Sequence, residues 1–241
     1  MKTLILCAGY GTRLKPLTDK KPKPLLEVQG VPILGHMLKH LSGLGIREVM
    51  INLHCKGEQI RDYCQKGEKW NLSVEYFEEA QLLGGAGTVK ALQGWFTQKK
   101  SEEEFLVIYG DLLCNEDFLA LQNFHREKKA LATILVYEGR DNSIVKRNLD
   151  GKIEFFYERP EAHFAEKIYQ QNPGPLFVNG GIQILSTHFF SYIPDLLPCD
   201  LPRDIYAKIA GQEALFAYPL KKNRLNIDSY EALQVAQNLR F

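Results

Sequence analysis

The sequence predicts an α/β fold with a largely parallel sheet. Two observations carry this: short apolar runs alternate with amphipathic stretches through the first 140 residues, and the first run breaks directly into a glycine-bearing loop. Thr3–Ala8 is that first run and reads as a buried strand. Val49–Leu53, Val74–Phe77, Phe105–Tyr109 and Leu131–Tyr137 repeat the pattern, and Ile33–Leu44, Gly57–Cys64, Ala86–Trp95 and Asp117–Lys128 carry helical patterns between them. Asn142–Val145 and Lys152–Phe156 read as a hairpin-like pair around Asp150-Gly151, a favoured turn dipeptide. Phe177–Leu185 reads as a further strand; Leu201–Ile209 and Tyr230–Asn238 look helical. No repeat, low-complexity segment or linker interrupts the chain. Residues 1–241 are therefore expected to form a single domain, with 141–241 elaborating the fold begun in 1–140.

A chain of 241 residues lies within the range of one α/β domain, and a hydrophobic content of 45% supplies a sizeable core. Thirty basic and 29 acidic residues leave a formal net charge of +1, so no field of one sign points to nucleic acid or a membrane surface. The five cysteines are scattered without C-x-x-C spacing, which suggests neither a disulfide framework nor a zinc site. They read as small apolar core residues, Cys7 above all. The chain opens on a strand rather than a signal peptide, and no apolar run approaches about 18 residues. A cytoplasmic location is expected.

Lys2 to Pro24 holds most of the functional information. Gly9 and Gly11 follow the first strand, then Arg13 and Lys23. Glycines let the backbone approach a ligand and turn N–H groups toward it. The two cations supply the charge that a polyphosphate needs. A parallel sheet holds nucleotides at such a strand–loop junction. The string lacks the Lys-Ser/Thr of a P-loop, and Leu14 occupies the third glycine position of a dinucleotide fingerprint.

Ala8-Gly-Tyr-Gly-Thr-Arg-Leu-Lys-Pro-Leu-Thr18, followed by Lys21-Pro-Lys-Pro24, resembles the signature of the sugar-1-phosphate nucleotidylyltransferases. The resemblance covers essentially the whole chain. It implies a doubly wound α/β/α sandwich with a mostly parallel central sheet, the Rossmann-like nucleotide-diphospho-sugar transferase type, with its cleft at the carboxyl ends of the central strands. The implied partners are a nucleoside triphosphate and a sugar 1-phosphate, whose phosphate oxygen attacks the α-phosphorus as pyrophosphate leaves. Both reactants are anionic, so positioning, charge neutralisation and Mg²⁺ are expected to carry catalysis without a protein nucleophile.

The resemblance also implies roles for residues. Arg13 would neutralise the β/γ-phosphates, Lys23 would reach the α-phosphate, and the backbone of Ala8, Gly9, Gly11 and Thr12 would cradle the nucleotide. Leu82–Thr88, with Gly84, Gly85 and Gly87, resembles the segment whose backbone meets base and ribose; Glu79 or Gln81 are further candidates there. Asp111 ends an apolar strand after Gly110, a good place to hold Mg²⁺ against phosphates, and matches the family's metal-binding aspartate. Glu158-Arg159-Pro160 matches Glu-Lys-Pro, the glutamate contacting sugar hydroxyls and the cation the sugar phosphate, with Arg adding a bidentate fork. Asn179-Gly180-Gly181 is similar to a segment whose asparagine contacts the sugar.

The main departure lies near the C-terminus. The family pattern Trp-x-Asp-(Ile/Val)-Gly-Thr-Pro-Glu-Asp places its second metal-binding aspartate at Asn226, while Asp228 falls two residues later. Either residue is a candidate second metal ligand. The six histidines show no metal-ligand spacing. No hexapeptide-repeat β-helix, carried by several family members, follows the core, so a stand-alone transferase is expected. GTP with a mannose- or heptose-type sugar is the leading expectation, and uridylyl transfer to a glucose- or N-acetylmuramate-type 1-phosphate the second. The Asn226–Glu231 ending is also similar to choline-phosphate cytidylyltransferases, which lack Glu-Lys-Pro. From another class comes a non-catalytic, nucleotide-sugar-binding regulatory subunit. A homodimer is left open.

Overall fold

The structure, a computed structural model, describes residues 1–99 and 103–239. Thirteen strands occur among them. In chain order they begin with β1 (Thr3–Leu6), β2 (Glu27–Val28), β3 (Val31–Pro32), β4 (Glu48–Leu53), β5 (Ser73–Glu78), β6 (Glu104–Tyr109) and β7 (Leu112–Cys114). Then follow β8 (Ala132–Glu138), β9 (Ser143–Arg147), β10 (Ile153–Glu158), β11 (Phe177–Ser186), β12 (Leu215–Pro219) and β13 (Arg224–Asn226). The chain divides into two compact units, neither continuous in sequence. One comprises Met1–Leu82, Phe105–Phe118 and Lys221–Phe241; the other Leu83–Glu104 and Leu119–Leu220.

The first unit is built on parallel strands in the order β6-β1-β4-β5. Leu4, Ile5, Val49, Ile51, Leu106, Val107 and Ile108 are buried without regard to alternation, as strands covered on both faces require. The helix Ile33–Gly43 connects β3 to β4, and its buried Ile33, Leu34, Met37, Leu38 and Leu41 form the apolar stripe that faces the core. The helix Gly57–Cys64 connects β4 to β5. β7 and β13 form an antiparallel ladder with Asn226 opposite Leu112. One buried cluster joins Leu14 of the N-terminal loop to Leu113, Ile227 and Ala236, which fastens the C-terminal segment to the loop. The helix Tyr230–Asn238 starts at Ser229, whose hydroxyl accepts from the Ala232 amide at 3.1 Å.

The second unit mixes both senses. β9 pairs antiparallel with β10 and with β11, β8 antiparallel with β11, and β12 parallel with β8. The expected turn between β9 and β10 is present, with Gly151 at φ 89° and Asn148 Oδ1 accepting from the Lys152 amide at 2.9 Å. The structure differs from the sequence reading in several places, and β2, β3, β7, β12 and β13 have no counterpart in it. The expected helix Ala86–Trp95 is two pieces, Gly84–Ala91 and Gln93–Phe96. Leu201–Tyr206 is a π-helix capped by Asp200. The helix Ala162–Gln171 has no counterpart in that reading; its Ile168 packs on Ile144 and Leu176.

Candidate functional site

In the first unit the site begins where β1 ends. The buried Cys7 amide donates to Asn52 Oδ1 at 2.6 Å, and Asn52 Nδ2 donates to Glu79 Oε1 at 2.7 Å. His54 Nδ1 bonds the Glu79 carbonyl at 2.8 Å and its Nε2 meets the Tyr10 hydroxyl at 3.1 Å. Residues at the carboxyl ends of β4 and β5 thus hold the loop in place. Glu79 is buried and occupied in this network, whereas Gln81 is exposed. Cys7 is a core residue, its thiol pushed well up by burial.

Two glycines here answer steric demands. Gly11 sits at φ 64°, where the chain turns into the short helix Thr12–Leu14, and Thr18 Oγ1 donates to its carbonyl at 2.9 Å. A Cβ on Gly110 would lie 2.5 Å from Cys7 Sγ and 2.8 Å from the Leu6 carbonyl, so only glycine lets the chain beyond β6 lie against the loop. Ala8 is buried; Gly9 and Thr12 are exposed.

Four charged groups then meet in pairs. Lys23 Nζ lies 2.6 Å from Asp111 Oδ2, and Arg13 Nη1 lies 2.7 Å from Asp228 Oδ2. The Lys23 side chain is only 11% exposed, that of Arg13 57%. The Ile227 amide donates to the Asp111 carbonyl at 3.1 Å, which brings Asn226 and Asp228 beside Asp111. Asn226 Oδ1 is buried and has no hydrogen-bond partner among the described residues.

These oxygens suit a hard cation: two carboxylates and one amide carbonyl. No group of three or more His, Cys, Asp or Glu able to hold a metal occurs among the described residues. A Mg²⁺ ion held by these residues would take its remaining ligands from substrate phosphates and water. The histidines have other occupations: His36 and His40 bond backbone carbonyls, and His125, buried against Thr133, has its pKa lowered to about 4 by burial.

In the second unit, the glycine turn packs tightly on Cys199. Gly84 stands at φ 75°, and a Cβ there would lie 2.3 Å from the Cys199 carbonyl oxygen. That oxygen accepts from the amides of Ala86 and Gly87 at 3.0 and 3.1 Å. Gly84 thus has a packing reason to be glycine.

Glu158 ends β10. Burial, then the nearby Asp200 carboxylate, push its pKa up to about 7. Arg159 follows at φ 45°, its amide donating to the Asn142 carbonyl at 2.5 Å and its Nε 3.6 Å from Glu158. Arg159 shares an open cavity of about 440 Å³ with Arg140, Asp141, Asn142 and Tyr169, and the Arg140 guanidinium sits 4.1 Å from the Tyr169 ring centre. Asn179 lies where the β11–β8 register shifts; its Oδ1 accepts from the Gly181 amide at 3.0 Å. A Cβ on Gly180 would lie 2.6 Å from the Leu135 carbonyl.

Sequence reasoning missed Asp200, Arg140 and the Asn52–Glu79 support. The first two sit outside any motif, and no periodic signal marks them. Asn52 was legible only as one polar residue inside an apolar strand.

The nucleotidyl transferase family model matches residues 2–205. Mannose-1-phosphate guanyltransferase of Yarrowia lipolytica is 30% identical over 92% of this chain and 59% of its own length. UTP–glucose-1-phosphate uridylyltransferase of a Synechocystis species is 30% identical over 87% of this chain and 55% of its own. The chain thus spans under three fifths of these relatives. Among solved structures, HddC of Yersinia pseudotuberculosis matches with a TM-score of 0.79 at 23% identity, covering 98% of this chain and 97% of that one.

Proposed function

The chain belongs to the nucleotidyl transferase family, and from that premise we propose that it condenses a nucleoside triphosphate with a sugar 1-phosphate. The products are a nucleotide-diphosphate sugar and pyrophosphate. The observation that carries this reading is the pairing of both loop cations with carboxylates, Lys23 with Asp111 and Arg13 with Asp228. Phosphates need those cations, and a divalent ion needs those acids.

In the reaction, an oxygen of the sugar phosphate forms a bond to the α-phosphorus as the bond to the β,γ-pyrophosphate breaks. Lys23 holds the α-phosphate and Arg13 the departing pyrophosphate, stabilising charge where it develops. The backbone of Ala8, Gly9, Gly11 and Thr12 lines the phosphates, and Gly84, Gly85 and Gly87 take the nucleoside end. Glu158, Arg159, Asn179 and Gly180 take the acceptor, the carboxylate on hydroxyls and the guanidinium on phosphate. Asp111, with Asn226 or Asp228, would hold Mg²⁺, which when bound neutralises phosphate oxygens.

GTP and a mannose-type sugar are the leading substrates, supported by the Yarrowia relative; uridylyl transfer follows, supported by the Synechocystis one. We place the reaction in the cytoplasm. Among the described residues no helix is long and apolar enough to cross a membrane. A pyrophosphate-release assay across GTP, UTP, CTP and ATP, with a panel of sugar 1-phosphates, tests the proposal. Release only when both substrates are present supports it; nucleotide-sugar binding without release from any pair favours the regulatory reading.

A further inference from the structure

The four charges that the proposed reaction needs are matched to one another within the protein itself. Lys23 rests on Asp111 and Arg13 on Asp228, at 2.6 and 2.7 Å. Neither a lone phosphate nor a lone cation therefore meets an uncompensated charge. In the C-terminal pattern that the chain resembles, Asp228 falls at the glycine position.

The side chains can exchange partners while the backbone stays fixed. Arg13 is 57% exposed, and the Asp228 and Asp111 side chains are 26% and 25% exposed, so solvent reaches both pairs. A triphosphate presents several oxygens in place of one carboxylate, and an exposed pair such as Arg13–Asp228 is individually weak. The supporting backbone is held by the Ile227–Asp111 hydrogen bond and by burial of Leu14 and Ile227 in one cluster. Asn226 Oδ1, two residues before Asp228, is buried without a hydrogen-bond partner among the described residues.

We propose that Asp228 is a positioning residue for Arg13, and that the two ion pairs are resting contacts split by the incoming triphosphate. Phosphate takes Arg13 and Lys23, and Asp228 and Asp111 become available to the divalent cation. Each ligand thereby improves the site for the other, a reciprocal coupling. The inference rests on the triphosphate reading of the loop.

Two binding measurements on the full chain test it without turnover. In the first, Mn²⁺ binding is followed by the electron paramagnetic resonance signal of the free ion, with no nucleotide present. Arg13→Met releases Asp228 and is expected to tighten Mn²⁺ about fivefold, the upper worth of such a pair. Lys15→Met, a loop cation paired elsewhere with Asp19 at 3.5 Å, is expected to change nothing. In the second, a non-hydrolysable GTP analogue is titrated in EDTA buffer. Asp228→Asn frees Arg13 and is expected to tighten the analogue by a similar factor, while Asp228→Glu keeps wild-type affinity and Asp19→Asn has no effect. Unchanged or weaker Mn²⁺ binding in Arg13→Met, confirmed with Arg13→Gln, overturns the inference. So does equal tightening by Lys15→Met, which assigns the effect to net charge. If the wild type binds no analogue with or without Mn²⁺, the triphosphate reading fails; the nucleotide-free comparison still decides whether Arg13 masks Asp228.

Discussion

Lys23→Met removes one charge from a place where partial burial makes it count. The Lys23 side chain is 11% exposed, its partner Asp111 25%, and they meet at 2.6 Å. Exposed pairs are worth at most about 1 kcal/mol, whereas breaking a fully buried pair costs about 3–5 kcal/mol, so this pair falls at about 1–2 kcal/mol. For a chain of this size that lowers Tm by about 2–8 °C. Most of the loss comes from leaving Asp111 unpaired, so Lys23→Met with Asp111→Asn should recover much of it. Activity should not recover, because the charge on the α-phosphate is gone in both variants. A fall of about 10²–10³ in kcat is expected for Lys23→Met. Thermal unfolding and pyrophosphate release on the same preparations separate the two effects. A lowered Tm with kcat/KM within about threefold of wild type would refute the phosphate role and leave Lys23 a structural partner of Asp111.

Four further outcomes follow from the same geometry. Arg13→Ala should keep the fold, since the side chain is 57% exposed, while kcat in the pyrophosphate assay falls by about 10²–10³. Asp111→Asn should abolish Mg²⁺-dependent turnover; wild-type rates at limiting Mg²⁺ would place the ion elsewhere. Glu158, raised to about 7 by burial and Asp200, favours folding when protonated. That contribution is fully present only below the ordinary value of 4.5 and is lost as pH rises from there through about 7, so that most of it remains at pH 5 and none above pH 8. Glu158→Gln should therefore raise Tm relative to wild type above pH 8 and not at pH 5. Gly84→Ala puts a Cβ 2.3 Å from the Cys199 carbonyl at φ 75°, and should cost about 2 kcal/mol or more by thermal unfolding.

Much of the fold was legible because its signals are local. The apolar runs around Ile5, Ile51 and Ile108 are buried on both faces, which leaves continuous hydrophobic stretches that periodicity detects. β7 and β13 are three residues each, too short to carry a pattern of their own. Ala162–Gln171 is different: Phe164, Ala165, Ile168 and Tyr169 form an amphipathic stripe that packs with Ile144 and Leu176, so its helical spacing stands in the sequence although the reading of apolar runs passes over it. At the candidate site, the motif located Arg13, Lys23 and Asp111, but motif spacing says nothing about which charge faces which. Asp228 reads from spacing as a metal ligand and in the structure accepts a hydrogen bond from Arg13. The Gly84 turn reads as a ligand contact, and packing on Cys199 supplies a reason for that glycine that is invisible without the fold.

Nucleotidyl transfer to a sugar 1-phosphate can be followed by ³¹P NMR of the full chain with GTP, mannose 1-phosphate and Mg²⁺. The triphosphate and sugar phosphate signals should fall together, while diphosphate-sugar and pyrophosphate signals rise in equal amounts. Consumption of the triphosphate to diphosphate and inorganic phosphate, or no consumption with any of the triphosphates and sugar 1-phosphates tried, would contradict that transfer.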